Sequence, residues 1–183
     1  TQEFFSSSAG QWDRMRTELF GDSCHLTAFG ALADPRWSIG DFGCGTGHVS
    51  EAIAPFVRRV VAVDGSAAML AAARRRVRDL PNVDLRRGEL EALPIDDNEL
   101  DAALLMLVLH HLPEPERALT EVARVLKPGG RVVLVDMLPH DREAYRRQMG
   151  HVWLGFSDDQ LGRMLEAAHL VDQTIVALPP DAR

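Results

Sequence analysis

With 183 residues, 46% of them apolar and 26% charged, the chain has the length and composition of one globular domain with a sizeable core. A net charge of -7 argues against a broad nonspecific nucleic-acid footprint, and no apolar run approaches the roughly 18 residues of a membrane-spanning helix. Two cysteines, Cys24 and Cys44, supply neither a disulfide framework nor a zinc spacing, so a cytoplasmic setting is the simplest expectation.

Residues 1–36 read as a helical cap. Trp12, Met15, Leu19 and Phe20 fall near one helical face, and a second helix is predicted over 22–32, ended by Asp34-Pro35. From Trp37 strand and helix patterns alternate, the signature of a parallel sheet covered on both faces. Strands are predicted near 37–42, 59–63, 83–87, 101–107, 130–136 and 173–177, and helices near 46–55, 66–79, 114–126 and 157–168. Pro81-Asn82 and Lys127-Pro128-Gly129-Gly130 are turns. The chain opens at Thr1 rather than Met, as expected of a segment of a longer protein.

The stretch Asp41-Phe42-Gly43-Cys44-Gly45-Thr46-Gly47 places three glycines between the first strand and the first helix. Glycine lets a strand turn sharply and brings backbone N–H groups close to a ligand. Asp64 closes the next apolar strand, about 20 positions beyond the loop, where a carboxylate can accept from both hydroxyls of a ribose. The glycine spacing departs from the G-x-G-x-x-G of dinucleotide-binding oxidoreductases, which makes that class the weaker reading.

D-x-G-x-G-x-G, followed by Asp64-Gly65-Ser66-Ala67-Ala68-Met69-Leu70, resembles the class I S-adenosylmethionine (SAM) dependent methyltransferases of the UbiE-like type. Two further stretches extend the resemblance, Arg87-Gly88-Glu89-Leu90-Glu91-Ala92-Leu93-Pro94 and the run from Leu100 to His110-His111-Leu112-Pro113. It implies a Rossmann-like, doubly wound, mainly parallel α/β sheet. It also implies SAM as cofactor and S-adenosylhomocysteine (SAH) as product. Gly43, Cys44, Gly45 and Gly47 would then cradle the methionine part, with Asp41 ordering the loop and helping to hold the ligand's amino group. Asp64 would take the ribose hydroxyls, and Gly65, Ser66 and Met69 would line ribose and adenine. Glu89 stands where this family usually has Asp; it would accept from the adenine amino group, beside Gly88 and the backbone N–H of Leu90. Leu107 would face the methyl donor. Such a sheet ends in an antiparallel hairpin; 173–177 can supply a sixth strand, but no convincing seventh follows.

The segment from Met137 to Phe156 resembles the methyltransferase part of proteins that fuse an ArsR-type winged-helix repressor to a SAM-binding domain. That implies an N-terminal DNA-binding domain outside this sequence, a homodimer as the assembly such a fusion would use, and no nucleic-acid contact by this segment itself. The segment can cover the strand ends, so that His140, Asp141, His151 and Trp153 line an acceptor pocket. His110 and His140 are the candidate general bases, because imidazole titrates near neutrality; a structural cap at the strand end is the alternative for His110. Asp136, His140 and His151 could offer metal ligands, but their spacing is long and irregular, and no metal is expected. The reading is therefore a methyltransferase acting on a small-molecule acceptor. The alternative is a SAM or SAH sensor attached to an ArsR-type regulator, without turnover.

Overall fold

Val60, Val61, Ala62 and Val63 form an unbroken apolar run, and all four are completely buried. A strand buried on both faces needs such a run, because alternate side chains point to opposite layers. Val60 and Ala62 pack with Ile39, Leu70 and Ala102 on one side. Val61 and Val63 pack with Phe42, Leu105, Leu119 and Val122 on the other. Two cores thus sandwich one sheet.

The computed structural model describes residues 27–178. Within them β1 (Ser38–Phe42), β2 (Arg59–Asp64), β3 (Val83–Arg87), β4 (Leu100–Met106) and β5 (Leu126–Val135) make a sheet in the order β3-β2-β1-β4-β5. Every pair is parallel. The helices are α1 (His48–Ile53), α2 (Ala67–Arg76), α3 (Pro115–Val125), α4 (Ala144–Met149) and α5 (Asp158–Ala167). Helix α3 starts at a proline, whose missing N–H costs nothing in a first turn, and buries Ala118, Leu119, Val122 and Val125 on one stripe. Helices α2 and α5 start at serine caps: Ser66 accepts from the Met69 amide and Ser157 from that of Gln160.

Strand order reverses at β1, which lies between β2 and β4. Ligands of open α/β sheets bind in the crevice beyond the strand carboxyl ends at such a switch point. The opposite end is tied by Asp101, which accepts from the Ser38 amide (2.8 Å) and from Lys127 Nζ (2.6 Å), joining β1, β4 and β5.

The doubly wound α/β expectation holds, and the first five strands fall where predicted to within a few residues. The sixth does not: 173–178 forms no strand. A strand needs a neighbour for its backbone groups, and among the described residues the open outer edge of β5 is not paired with it. Val176 and Leu178 are left exposed. Helix α4 was not predicted. The helix expected over 12–20 lies outside the described residues, and of the one expected over 22–32 the described end includes a 3-10 turn, Phe29–Leu32.

Asp41 is the buried carboxyl of the central strand, 1% exposed, and accepts from Ser50 Oγ at 2.5 Å. Burial pushes its pKa from the ordinary 3.8 up to about 6, against the Ser50 hydrogen bonds and with a small push from Asp64. Between these values the folded chain keeps a proton that the unfolded chain has released. Stability from this group is therefore lost as pH rises from about 4 to 6, by about 3 kcal/mol. The ion-paired carboxylates Asp84, Asp101 and Glu121 are held below their usual range and act with the opposite sign. The readout is consequently a difference: urea unfolding of wild type and Asp41→Asn across this window should diverge in favour of the variant as pH rises.

Candidate active site

The loop after β1 is held from below by one carbonyl. Val63 O, in β2, accepts from both the Gly43 amide (2.9 Å) and the Cys44 amide (3.1 Å). Gly47 N donates to Cys44 O at 2.8 Å, and Gly45 N donates to Asp64 Oδ2 at 2.8 Å. The amides of Gly43, Cys44, Gly45 and Gly47 are thus already used inside the protein. A phosphate cradle needs such amides free, and these four are not.

All three loop glycines have positive φ, of 71°, 53° and 82° in order. They do different jobs. A side chain at Gly43 would overlap that of Val108, and one at Gly47 would come 3.1 Å from Ala73 Cβ on α2. At Gly45 nothing lies within 4 Å. Gly43 and Gly47 therefore serve packing, while Gly45 faces open space. Cys44 is buried, with its thiol pushed up to about 12 by burial and the nearby Asp41 and Asp64. It offers a ligand no thiolate. The Asp41 side chain is likewise turned inward onto Ser50, so it orders the start of α1 rather than reaching out.

Asp64 takes the Gly45 amide on Oδ2 and the Ser66 amide on Oδ1, both at 2.8 Å. Because Ser66 fills the helix cap, the carboxylate is not consumed there, and it retains lone pairs for further donors. Met69 is 45% exposed, so it is not a core residue. The third loop folds against the second: Gly88 N donates to Asp64 O (3.3 Å) and Arg87 Nε to Gly65 O (3.2 Å). A side chain at Gly65 would lie 3.0 Å from Glu89 Oε2 and one at Gly88 would lie 2.7 Å from Pro94, so both glycines make room for neighbours. Glu89 is exposed beside this pair. Leu90 buries its side chain in the core, leaving only its main chain for a ligand.

Past β4, Leu107 is 53% exposed with φ of 57°, and its amide donates to Val135 O at 2.7 Å. A leucine in the left-handed region costs about 1–2 kcal/mol. Nothing in the sequence signalled this strain. His110 follows, 2% exposed, with Nδ1 donating to Asp136 Oδ1 at 2.8 Å. Its carbonyl accepts from the amides of Val152 and Trp153 at 2.9 and 3.0 Å, which draws the 150–153 stretch over the strand end. His151 thereby comes against His110 and His111, at ring-centroid distances of 4.4 and 5.2 Å. Burial, and then the imidazoles of His110, His111 and His140, hold the His151 pKa below the usual histidine range, with Asp136 pulling the other way.

The four residues expected to line an acceptor pocket do not all meet. His140 and His151 lie 6.3 Å apart, with Tyr145, which sequence reasoning missed, 5.5 and 5.3 Å from their rings. Asp141 is exposed. Trp153 packs on Phe156 and the core and donates to Leu112 O at 2.9 Å.

The glycine assignments are open to a direct check. Gly45→Ala should lower stability by only about 1 kcal/mol, the backbone cost of its φ. Gly43→Ala adds the overlap with Val108 and should lose about 2–5 kcal/mol in the same urea titration.

Known proteins resemble this arrangement. The demethylmenaquinone methyltransferase of Renibacterium salmoninarum is 39% identical over 111 residues, covering 61% of this chain and 45% of that protein. The uncharacterized methyltransferase YcgJ of Bacillus subtilis is 36% identical over 134 residues, covering 72% and 53%. Its crystal structure superposes with a TM-score of 0.70 at 28% identity, over 79% of this chain and 66% of that one. A putative methyltransferase of Bacillus halodurans gives 0.69 at 30% identity, over 79% and 67%. The chain spans about half the length of the curated relatives it matches. None of these three is described as a regulator, and the likeness to repressor fusions stays an expectation. The family described as a methyltransferase domain matches residues 40–134, from within β1 almost to the end of β5, and the chain belongs to that family.

Proposed function

We propose that the chain binds SAM beyond the carboxyl ends of β1 and β2 and transfers its methyl group to a small-molecule acceptor. The observation that carries this reading is the Asp64 carboxylate, fixed by two backbone amides at 2.8 Å beside a glycine that faces open space. A carboxylate so oriented suits the two hydroxyls of a ribose, and a loop with its amides already engaged suits a ligand without phosphates. Glu89 and the rim residue Met69 are then the groups for the adenine edge and face.

SAM supplies an electrophilic methyl group when bound, so the protein's work is orientation and the exclusion of water. Where the acceptor must lose a proton, His110 is the better equipped of the two candidate bases. Asp136 fixes its Nδ1 as the protonated nitrogen, which leaves Nε2 with a lone pair. His140 is set the other way: its Nδ1 accepts from the Arg142 amide at 3.2 Å, so its Nε2 carries the proton. The acceptor itself is not carried over from the relatives. The family match includes His110 but ends at residue 134, before the 136–156 segment that carries His140 and His151.

Calorimetric titration with SAM and SAH tests the reading. Both should bind with comparable, micromolar affinity. Asp64→Ala should weaken each about 10- to 100-fold, the loss of one or two hydrogen bonds to a charged group. Unchanged affinity in that variant would remove the ribose assignment.

A further inference from the structure

Three imidazoles meet where the methyl-transfer reading puts the acceptor side. One potential ligand nitrogen from each of His110, His111 and His151 lies within 4.8 Å of the other two. Their surroundings are those of ligands rather than of packing. His110 Nδ1 donates to the Asp136 carboxylate at 2.8 Å, and His111 Nδ1 donates to Gly150 O at 3.3 Å. Both contacts fix the tautomer with Nδ1 protonated and leave Nε2 as a lone-pair donor. Metal-bound histidines are held in this way, by a carboxylate or a backbone carbonyl on the far nitrogen.

His151 supplies a second, independent observation. It is 4% exposed, and both of its ring nitrogens are buried without a hydrogen-bond partner. Leaving such a group unpaired costs about 1–3 kcal/mol. The chain spends backbone contacts to keep it there, because the Val152 and Trp153 amides hold His110 O and Trp153 Nε1 holds Leu112 O.

We propose that His110, His111 and His151 form a binding site for one divalent transition-metal ion of the zinc class, oriented by Asp136 and the Gly150 carbonyl. Three neutral nitrogens without thiolate or direct carboxylate suit zinc, cobalt, nickel or iron and do not suit magnesium or calcium. Neighbouring nitrogens on tetrahedral zinc stand about 3.4 Å apart. At most 4.8 Å separates any two of the candidate nitrogens, about 1.4 Å more than that spacing. Three protein ligands leave a position for a further one. We assign it to an oxygen or nitrogen of the methyl acceptor. The site rests on its own geometry; only this use of it rests on the methyl-transfer reading. Ligation and general-base action compete for the same His110 Nε2, so the ion would replace that base in activating the acceptor.

The test uses the tag-free chain, stripped with a chelator and titrated with Co²⁺ and then Zn²⁺. The expected result is about one ion per chain, visible absorption of the intensity given by four- or five-coordinate cobalt, and displacement by zinc. His151→Ala and His111→Gln should each weaken binding at least about tenfold, and Asp136→Asn about 10- to 100-fold although it removes no ligand. His111 is exposed, so its variant stays folded, which a cooperative thermal melt verifies. No binding at micromolar cobalt, six-coordinate absorption, or wild-type affinity in the His111 and His151 variants would overturn the proposal. SAM titration of the same samples separates the two readings. An ion bound without SAM affinity leaves the metal site standing and removes methyl transfer; SAM affinity without an ion does the reverse.

Discussion

The hydrogen bond from the Gly45 amide to the Asp64 carboxylate, 2.8 Å long, joins the turn after β1 to the end of β2, and the site is organised around it. It is possible only because Gly45 occupies a left-handed conformation and because β1 and β2 run parallel in register, Phe42 beside Val63. The same register brings Val63 O under the Gly43 and Cys44 amides. One pairing therefore spends the loop's donors, orients its acid and leaves a glycine facing outward. What the turn presents is a preset acceptor rather than a preset anion hole. That distinction separates this turn from the phosphate-binding turns that share its glycine content.

Much of this was legible in the residues. The buried strands announced themselves as unbroken apolar runs, and the loop and Asp64 by glycine spacing and distance along the chain. The reason is physical: a central parallel strand and a tight strand-to-helix turn each tolerate few residue types. Where the chain is less constrained the sequence said less. The 173–177 run has strand-forming residues but pairs with no strand among the described residues, and propensity without pairing makes no strand. Helix α4 is a single short element with no buried residue, so no apolar period betrayed it. Leu107 carries strain that no residue type encodes, since leucine is an unlikely occupant of its φ.

The histidines mark the limit most clearly. His110 is a candidate base from the sequence, and the structure adds the Asp136 carboxylate at its Nδ1. Its meeting with His151 was not legible, because 41 residues and an irregular crossing separate them in sequence. Main-chain bonds from Val152 and Trp153 to His110 O, with Trp153 Nε1 on Leu112 O, bring the two rings together. The histidine cluster is thus held by backbone contacts in a loop, while Asp64 is oriented by strand register. This division is consistent with a family match that spans the sheet and stops before the loop.

The most direct test of the central claim is a crystal structure with SAH. The account predicts the ribose hydroxyls within hydrogen-bonding distance of both Asp64 oxygens, with the ligand passing over Gly45 and its sulfur directed toward Leu107 and the histidine cluster. SAH bound elsewhere, or bound with Asp64 still engaged by backbone amides alone, would contradict it.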